Sequence, residues 1–215
     1  ETSKTFTVPV LADSTDEANE TATLTLSNAS NASISDATGT LTITDDDAAP
    51  SLSINDVTAS NENAANATFT ATLSAASGQQ VTVDYASSNG TATAGSDYTA
   101  SSGTLTFAAG QTSKTFTVPV LADSTDENNE TATLTLSNAS NASISDATGT
   151  LTITDDDAAP SLSINDVTTS NESAANATFT ATLSAVSRKV VTVDYASSNG
   201  TAAAGSDYTA SSGTL

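Results

Sequence analysis

The chain has 215 residues, of which 25 are Asp or Glu and four are Lys or Arg, and it contains no His, Cys, Met or Trp. A net charge of -21 repels polyanions, so we expect no nucleic-acid partner and no attraction to an anionic membrane surface. The longest apolar runs are far too short to span a bilayer, so we expect no membrane insertion either.

An internal repeat of 110 residues organises the sequence. Residues 1–105 align with residues 111–215, and only nine of the 105 aligned pairs differ. Four of these differences are clustered, where Ala76, Gly78, Gln79 and Gln80 become Val186, Arg188, Lys189 and Val190. Self-similarity at a fixed period is typical of arrays of stacked structural units. A site tuned to one ligand would not need copying, whereas a spacer would.

The repeat is out of phase with the predicted domain. Ala-Ala-Pro segments at residues 48–50 and 158–160 follow acidic runs and precede new strands, so we interpret them as linkers. They predict a complete domain at residues 49–157, preceded by a carboxy-terminal half-domain at 1–48 and followed by an amino-terminal half-domain at 158–215. A half-domain exposes unpaired strand edges, so its partners would be neighbouring repeats of the same chain or head-to-tail copies.

Apolar residues alternate with Thr and other polar residues through the complete domain, which predicts seven β-strands, A to G. In chain order the inward-facing positions are Leu52, Ile54 and Val57 in A; Ala67, Phe69, Ala71 and Leu73 in B; Val81, Val83 and Tyr85 in C; Leu105 and Phe107 in D; Phe116, Val118 and Val120 in E; Ala132, Leu134 and Leu136 in F; and Leu151 and Ile153 in G. Pro119 predicts an edge position or a bulge in strand E. This pattern predicts an all-β fold of tandem seven-stranded immunoglobulin-like β-sandwiches.

Acidic residues are concentrated at one predicted end of the sandwich. Because successive strands alternate in direction, loops A–B, C–D and E–F and the end of strand G gather at the same end, here called the top. Asp126 lies in loop E–F as well, whereas the bottom loops carry only Asp146. Eight further acidic residues lie at the top: Glu62, Asp97, Asp123, Glu127, Glu130, Asp155, Asp156 and Asp157.

These carboxylates favour a hard cation. Like charges a few ångströms apart repel by about 1 kcal/mol per pair in water, so eight of them would push the loops apart unless a cation neutralised them. A flexible cage of carboxylates suits calcium better than magnesium, and zinc and copper lack the His and Cys ligands that they prefer. The alternative is a solvated surface that keeps the protein soluble. Concentration at one end, from loops far apart in sequence, favours the metal.

The order of these motifs resembles the Calx-β domain. Glu62 is followed by Gly-Ser-Asp-Tyr at 95–98, a Thr-Leu-Thr-Phe strand at 104–107, Asp-x-x-x-Glu-x-x-Glu at 123–130 and Thr-Ile-Thr-Asp-Asp-Asp at 152–157. The resemblance covers essentially the whole chain, including both half-domains. Members of this family occur in the cytoplasmic calcium sensor of sodium/calcium exchangers and in large bacterial surface proteins, so the resemblance implies calcium binding.

The resemblance also implies a set of ligands. The eight carboxylates would coordinate calcium through their side chains, and Thr125 would contribute its backbone carbonyl. The half-domains would carry the counterparts Asp13, Thr15, Glu17, Glu20, Asp45, Asp46 and Asp47, and Glu172 and Asp207. Family members often have Asp where this chain has Ala122 and Ala12, so we expect two or three ions per complete domain rather than four.

An enzyme is not expected, because His and Cys are absent and no base accompanies the Ser residues. Tyr85 and Tyr98 are interpreted as core or cap residues. The favoured hypothesis is a passive spacer in the stalk of a secreted or surface-anchored bacterial adhesin, outside the cell. Calcium would stiffen the junctions between domains, and other domains would bind the adhesive ligand. Two alternatives stay open: a calcium sensor that switches an attached protein, and a fibre assembled by complementation of half-domains between molecules.

Overall fold

The computed structural model describes residues 2–63, 66–169, 171–173 and 176–215. Contacts divide the chain into one unit of residues 1–122 and 130–153 and a second of residues 123–129 and 154–215. No helix in the described ranges is long and apolar enough to cross a membrane.

The strands of the first unit are β1 (Glu20–Thr25), β2 (Thr38–Ile43), β3 (Ser51–Ile54), β4 (Val57–Ala59), β5 (Asn66–Leu73), β6 (Val81–Asn89), β7 (Ser102–Phe107), β8 (Ser113–Pro119), β9 (Glu130–Ser140), β10 (Ser143–Ile144) and β11 (Thr148–Ile153). Those of the second are β12 (Leu162–Ile164), β13 (Ala181–Leu183), β14 (Asp194–Ala196) and β15 (Ser212–Thr214).

Two sheets form the sandwich of the complete domain. One has the strand order β10-β3-β5-β8 and the other the order β4-β11-β9-β6-β7. Apart from two parallel edge pairings, neighbouring strands run antiparallel, and the register sets Phe69 opposite Phe116 in one sheet and Val83 opposite Leu105 in the other. The predicted immunoglobulin-like β-sandwich is therefore confirmed, with β5 to β9 as strands B to F and β11 as strand G.

Predicted strand A is divided between the two sheets. Its first part, β3, pairs antiparallel with β5, and its second part, β4, pairs parallel with β11. Two polar residues occupy the crossing point: Asn55 Oδ1 accepts the N–H of Thr70 at 2.6 Å, and Asp56 Oδ1 accepts the N–H of Thr150 at 2.7 Å. These side chains satisfy backbone donors of both sheets where strand A leaves one ladder for the other.

The predicted inward-facing residues form the core. All of them are buried except Val57 and Tyr85, which are partly buried and pack against the buried cluster. The ring of Phe116 stacks on Tyr85 at a centroid distance of 4.0 Å and on Phe69 at 5.5 Å. Tyr98 is buried, and its hydroxyl donates to Asn89 Oδ1 at 2.8 Å. Pro119 ends β8, which is an edge strand as predicted.

Gly149 in β11 lies close to the backbone at the crossing point of strand A. A Cβ atom added there would lie 2.6 Å from the carbonyl oxygen of Asn55 and 3.3 Å from the ring of Phe69. We expect Gly149→Ala to lower the free energy of unfolding by about 1–3 kcal/mol, because a backbone atom must shift to admit the methyl group. Urea unfolding measures the loss. The matched control is Gly39→Ala, since its added Cβ meets nothing within 4 Å. Equal effects at both positions would contradict this account of the packing.

The flanking half-domains keep their local strand pairs but expose their apolar faces. In the first unit, β1 pairs with β2, and in the second, β12 pairs with β13 and β14 with β15. Phe6 is 69% exposed, whereas the equivalent Phe116 is 7% exposed, and the residues around Phe6 form no strand. Phe179, the equivalent of buried Phe69, is 56% exposed. Both flanking segments therefore expose apolar side chains whose equivalents in the complete domain are buried.

Candidate metal centre

Five of the predicted ligands come together in the complete domain. Carboxylate oxygens of Glu62, Asp123 and Glu127 lie within 4.8 Å of one another, and so do those of Asp97, Glu127 and Glu130. Glu127 belongs to both groups and is buried, as are Glu62 and Asp97. The groups join residues that are up to 65 positions apart in sequence, as the predicted loop arrangement requires.

Local hydrogen bonds hold the C–D loop in place. Asp97 Oδ2 accepts the N–H of Thr93 at 2.6 Å, closing a turn in which Gly95 has a φ of 97°. The carbonyl of Asp97 accepts the N–H of Leu121 at 3.0 Å. This bond fixes the C–D loop beside the chain that enters the E–F loop, so the backbone positions Asp97 before any ion binds.

The E–F loop, residues 123–129, is tied to the Asp triplet at 155–157. Asp123 Oδ1 accepts the N–H of Thr125 at 2.6 Å, a turn typical of Asp at the start of a loop. Asp155 Oδ1 accepts the N–H of Glu127 at 3.1 Å, and the N–H of Asp155 donates to Asn129 Oδ1 at 3.2 Å. Two reciprocal bonds thus join these acidic segments. Asn129 was not among the predicted residues.

Asp157 lies among several other carboxylates. Burial raises the pKa of this carboxyl, and the neighbouring carboxylates of Asp156, Asp155, Asp123 and Asp126 raise it further. Its Oδ2 atom is buried and has no hydrogen-bond partner within the described ranges. A buried carboxylate oxygen among four other carboxylates fits a bound cation. Because the donors are all oxygen atoms and come from several loops, they fit calcium.

The first half-domain repeats much of this local geometry. Asp13 Oδ1 accepts the N–H of Thr15 at 2.8 Å, and the N–H of Asp45 donates to Asn19 Oδ1 at 3.0 Å. Burial raises the pKa of Glu17 and of Asp47, and the neighbouring carboxylates raise both further, those of Asp13 and Asp45 among them. Glu20 and Asp46 are exposed. Within the described residues, however, groups of three carboxylates this close occur only in the complete domain.

Glu172 and Asp207 in the second half-domain are both exposed. Asp207 keeps the turn of its equivalent Asp97, because its Oδ2 accepts the N–H of Ala203 at 2.8 Å. Residues 158–215 contain no counterpart of the E–F loop or of the Asp triplet. The two residues therefore lack the acidic segments that surround Glu62 and Asp97.

A loop of the following repeat docks on the E–F loop. Ser187 Oγ donates to Asp126 Oδ2 at 2.7 Å, and the N–H of Arg188 donates to the Asp126 carbonyl at 3.0 Å. Lys189 Nζ donates to Asp126 Oδ1 at 2.7 Å and to Asp155 Oδ2 at 3.0 Å. These hydrogen bonds raise the pKa of Lys189, and the bond from Lys189 contributes most to lowering that of Asp126.

The same docking occurs one repeat earlier. Ser77 Oγ donates to Asp16 Oδ2 at 2.7 Å, and the N–H of Gly78 donates to the Asp16 carbonyl at 2.8 Å. Sequence reasoning missed both contacts, because the partners are 61 residues apart and Ser matches no ligand motif. The only signal was the cluster of repeat differences that contains Arg188 and Lys189.

One family model matches the sequence along nearly its whole length. The Calx-beta domain model matches residues 1–47, 45–157 and 155–215. The crystal structure of the apo-form Calx CBD1 domain is 24% identical, with a TM-score of 0.47, and the match covers 50% of this chain and 98% of that one. The calcium binding domain CBD12 of CALX1.1 is 24% identical, with a TM-score of 0.46, over 49% of this chain and 44% of that one. No curated protein matches the sequence.

Proposed function

Because the chain belongs to the Calx-beta domain family, we propose that it is a structural array whose calcium sites lie at the junctions between successive repeats. One observation carries the proposal. The two groups of clustered carboxylates share Glu127, which is hydrogen-bonded to Asp155 of the triplet that directly precedes the linker at 158–160. An ion held there would connect loops A–B, C–D and E–F to the chain that enters the next repeat.

The proposed role of calcium is mechanical. Without cations, the carboxylates repel one another and favour an open arrangement of the loops. A cation bound by several loops draws them together and fixes the direction in which the chain leaves the domain. Pro50 and Pro160 restrict the linkers further, because the proline ring fixes φ. Calcium-loaded repeats would then form a stiff rod.

An extracellular stalk is the setting that suits this role. Calcium modules outside the cell bind with dissociation constants of about 10⁻⁴–10⁻³ M, so a multi-carboxylate site is filled there without being tight. Near-identical repeats suit a spacer, since each copy repeats the same mechanical task. We place the array in the stalk of a bacterial surface adhesin, with two or three ions per complete domain and the adhesive ligand bound by other domains.

Small-angle scattering of the full chain, with calcium and with chelator, tests the mechanical role. With calcium, the maximum dimension is expected to be larger and the range of conformations that fits the scattering narrower, because the junctions no longer bend. The Asp146→Asn variant is expected to show the same response to calcium as the unchanged chain, since Asp146 lies at the opposite end of the sandwich. A chain that stays equally extended with and without chelator would exclude stiffening by calcium.

Self-assembly is a second candidate, favoured by the exposed faces of the half-domains. Phe6 and Phe179 lie on surfaces whose equivalents form the core of the complete domain. A first half-domain of one molecule could cover a second half-domain of another in a head-to-tail fibre. Sedimentation at increasing concentration is expected to show growing assemblies if this happens. A monomer at every concentration would remove this candidate and leave the calcium role untouched.

A further inference from the structure

The two repeat-to-repeat contacts differ in charge. At the first, residues 77–79 meet the acidic loop that contains Asp16, and at the second, residues 187–189 meet the loop that contains Asp126. The Ser-to-Asp hydrogen bond is 2.7 Å long at both. Gly78 and Gln79 follow the serine at the first junction, whereas Arg188 and Lys189, here called the basic pair, follow it at the second.

The basic pair lies directly on the acidic residues. Lys189 Nζ bridges Asp126 Oδ1 at 2.7 Å and Asp155 Oδ2 at 3.0 Å, and Arg188 forms an ion pair of 2.6 Å with Glu127 Oε2. All three carboxylate side chains are nearly buried, while those of Lys189 and Arg188 are 37% and 50% exposed. The Lys189 and Arg188 side chains therefore enter from the solvent side, and their positive charges neutralise carboxylates that have little access to water.

Two of these three carboxylates are candidate calcium ligands. Glu127 belongs to both clustered groups, and Asp155 belongs to the triplet. A carboxylate oxygen held at ion-pair distance by an ammonium or guanidinium group cannot coordinate a calcium ion in full at the same time, because two cations so close to each other repel. Calcium at this junction must therefore displace the basic pair or share its ligands.

We propose that the basic pair is a built-in substitute for calcium, which holds the second junction together without the ion and lowers the calcium affinity of that junction. The inference rests on the proposed function, because it assumes that calcium binds these carboxylates. An array with both kinds of junction has calcium-dependent hinges where Gly and Gln occur and calcium-independent joints where Arg and Lys occur. The proportion of the two kinds of junction sets how much the stiffness of the array decreases when the calcium concentration falls.

The other changes in the same cluster do not explain this contact. Val186 and Val190 replace Ala76 and Gln80, and both valine side chains are largely exposed. The first junction, in turn, can admit a basic pair if the side chain of Glu17 moves. A Cβ atom added at Gly78 would lie 2.8 Å from Glu17 Cγ and 2.9 Å from Glu17 Oε1, which are atoms of a flexible side chain that can move. The reciprocal exchange is therefore a practical experiment.

The test exchanges the two junction sequences within the full chain. In Arg188→Gly/Lys189→Gln, calcium titration by calorimetry is expected to show about tenfold tighter binding at the second junction, and thermal unfolding in chelator a lower midpoint. The control, Lys4→Gln/Lys114→Gln, removes the same charge away from the junction and is expected to change neither. In Gly78→Arg/Gln79→Lys, the first junction is expected to bind calcium more weakly and to unfold at a higher midpoint in chelator.

The outcomes separate this inference from the proposed function. Calcium binding that is equal in the wild type, the Arg188→Gly/Lys189→Gln variant and the control, with equal midpoints in chelator, overturns the inference alone. No calcium binding in the wild type or in any variant overturns the proposed function and the inference together. Tighter binding in the variant with a lower midpoint in chelator supports both.

Discussion

Replacing Glu127 by Gln is expected to weaken calcium binding by the complete domain by about 100-fold, equivalent to about 2.7 kcal/mol. Glu127 is the one residue that belongs to both clustered groups of carboxylates, so the substitution removes a charged oxygen ligand from each. Gln keeps the shape of the side chain, but its neutral amide oxygen attracts a divalent cation much less strongly than a carboxylate does. Calorimetric titration of the full chain measures the loss, and the number of bound ions is expected to fall with it.

Asp146→Asn provides the matched control for Glu127→Gln. Asp146 is also a loop carboxylate, and its Oδ1 accepts the N–H of Thr148 at 3.3 Å at the bottom of the sandwich. Its replacement removes the same charge without touching the acidic end, so calcium affinity is expected to stay within about twofold. Equal losses in the two variants would show that calcium responds only to net charge. That result would contradict a site built around Glu127.

Phe69→Ala is expected to lower the free energy of unfolding of the complete domain by about 3–5 kcal/mol. Phe69 is fully buried between the two sheets of the sandwich and stacks on Phe116. Truncation removes its buried apolar surface and leaves a cavity that the rigid strands around it cannot fill. Urea unfolding, followed by the signal of the tyrosines in the complete domain, measures the loss.

The internal repeat supplies the control for Phe69→Ala at the aligned position, Phe179. Its side chain is 56% exposed in the second half-domain, so Phe179→Ala is expected to change the stability of the complete domain by less than about 0.5 kcal/mol. A loss of several kcal/mol in the Phe179→Ala variant would contradict the description of that half-domain as an open face.

The core was predictable from the sequence, whereas the path of strand A was not. Alternation identifies which side of a strand faces inward, and that sufficed for residues such as Phe69 and Leu134. It does not identify the sheet that a short strand joins. The crossing at Asn55 and Asp56 depends on side-chain bonds to Thr70 and Thr150, which no periodic pattern contains.

The candidate site was predictable as a region but not as a set of distances. Strand direction alone brought loops A–B, C–D and E–F to one end, where Glu62, Asp97 and Glu127 come together. Which carboxylates approach each other depends on loop conformations set by individual bonds, such as that from the N–H of Glu127 to Asp155. The contact of Lys189 with Asp126 spans 63 residues and joins two repeats, so local patterns could not reveal it.

Thermal unfolding of the full chain with calcium and with chelator tests the central claim most directly. Calcium at 100 times its dissociation constant stabilises the native state by about 2.7 kcal/mol per site, which predicts a rise of about ten degrees or more in the midpoint of the complete domain. Magnesium at the same concentration is expected to have a much smaller effect, because it keeps its water ligands. An unchanged midpoint in calcium would contradict the account, since the acidic end would then be only a solvated surface on the same β-sandwich.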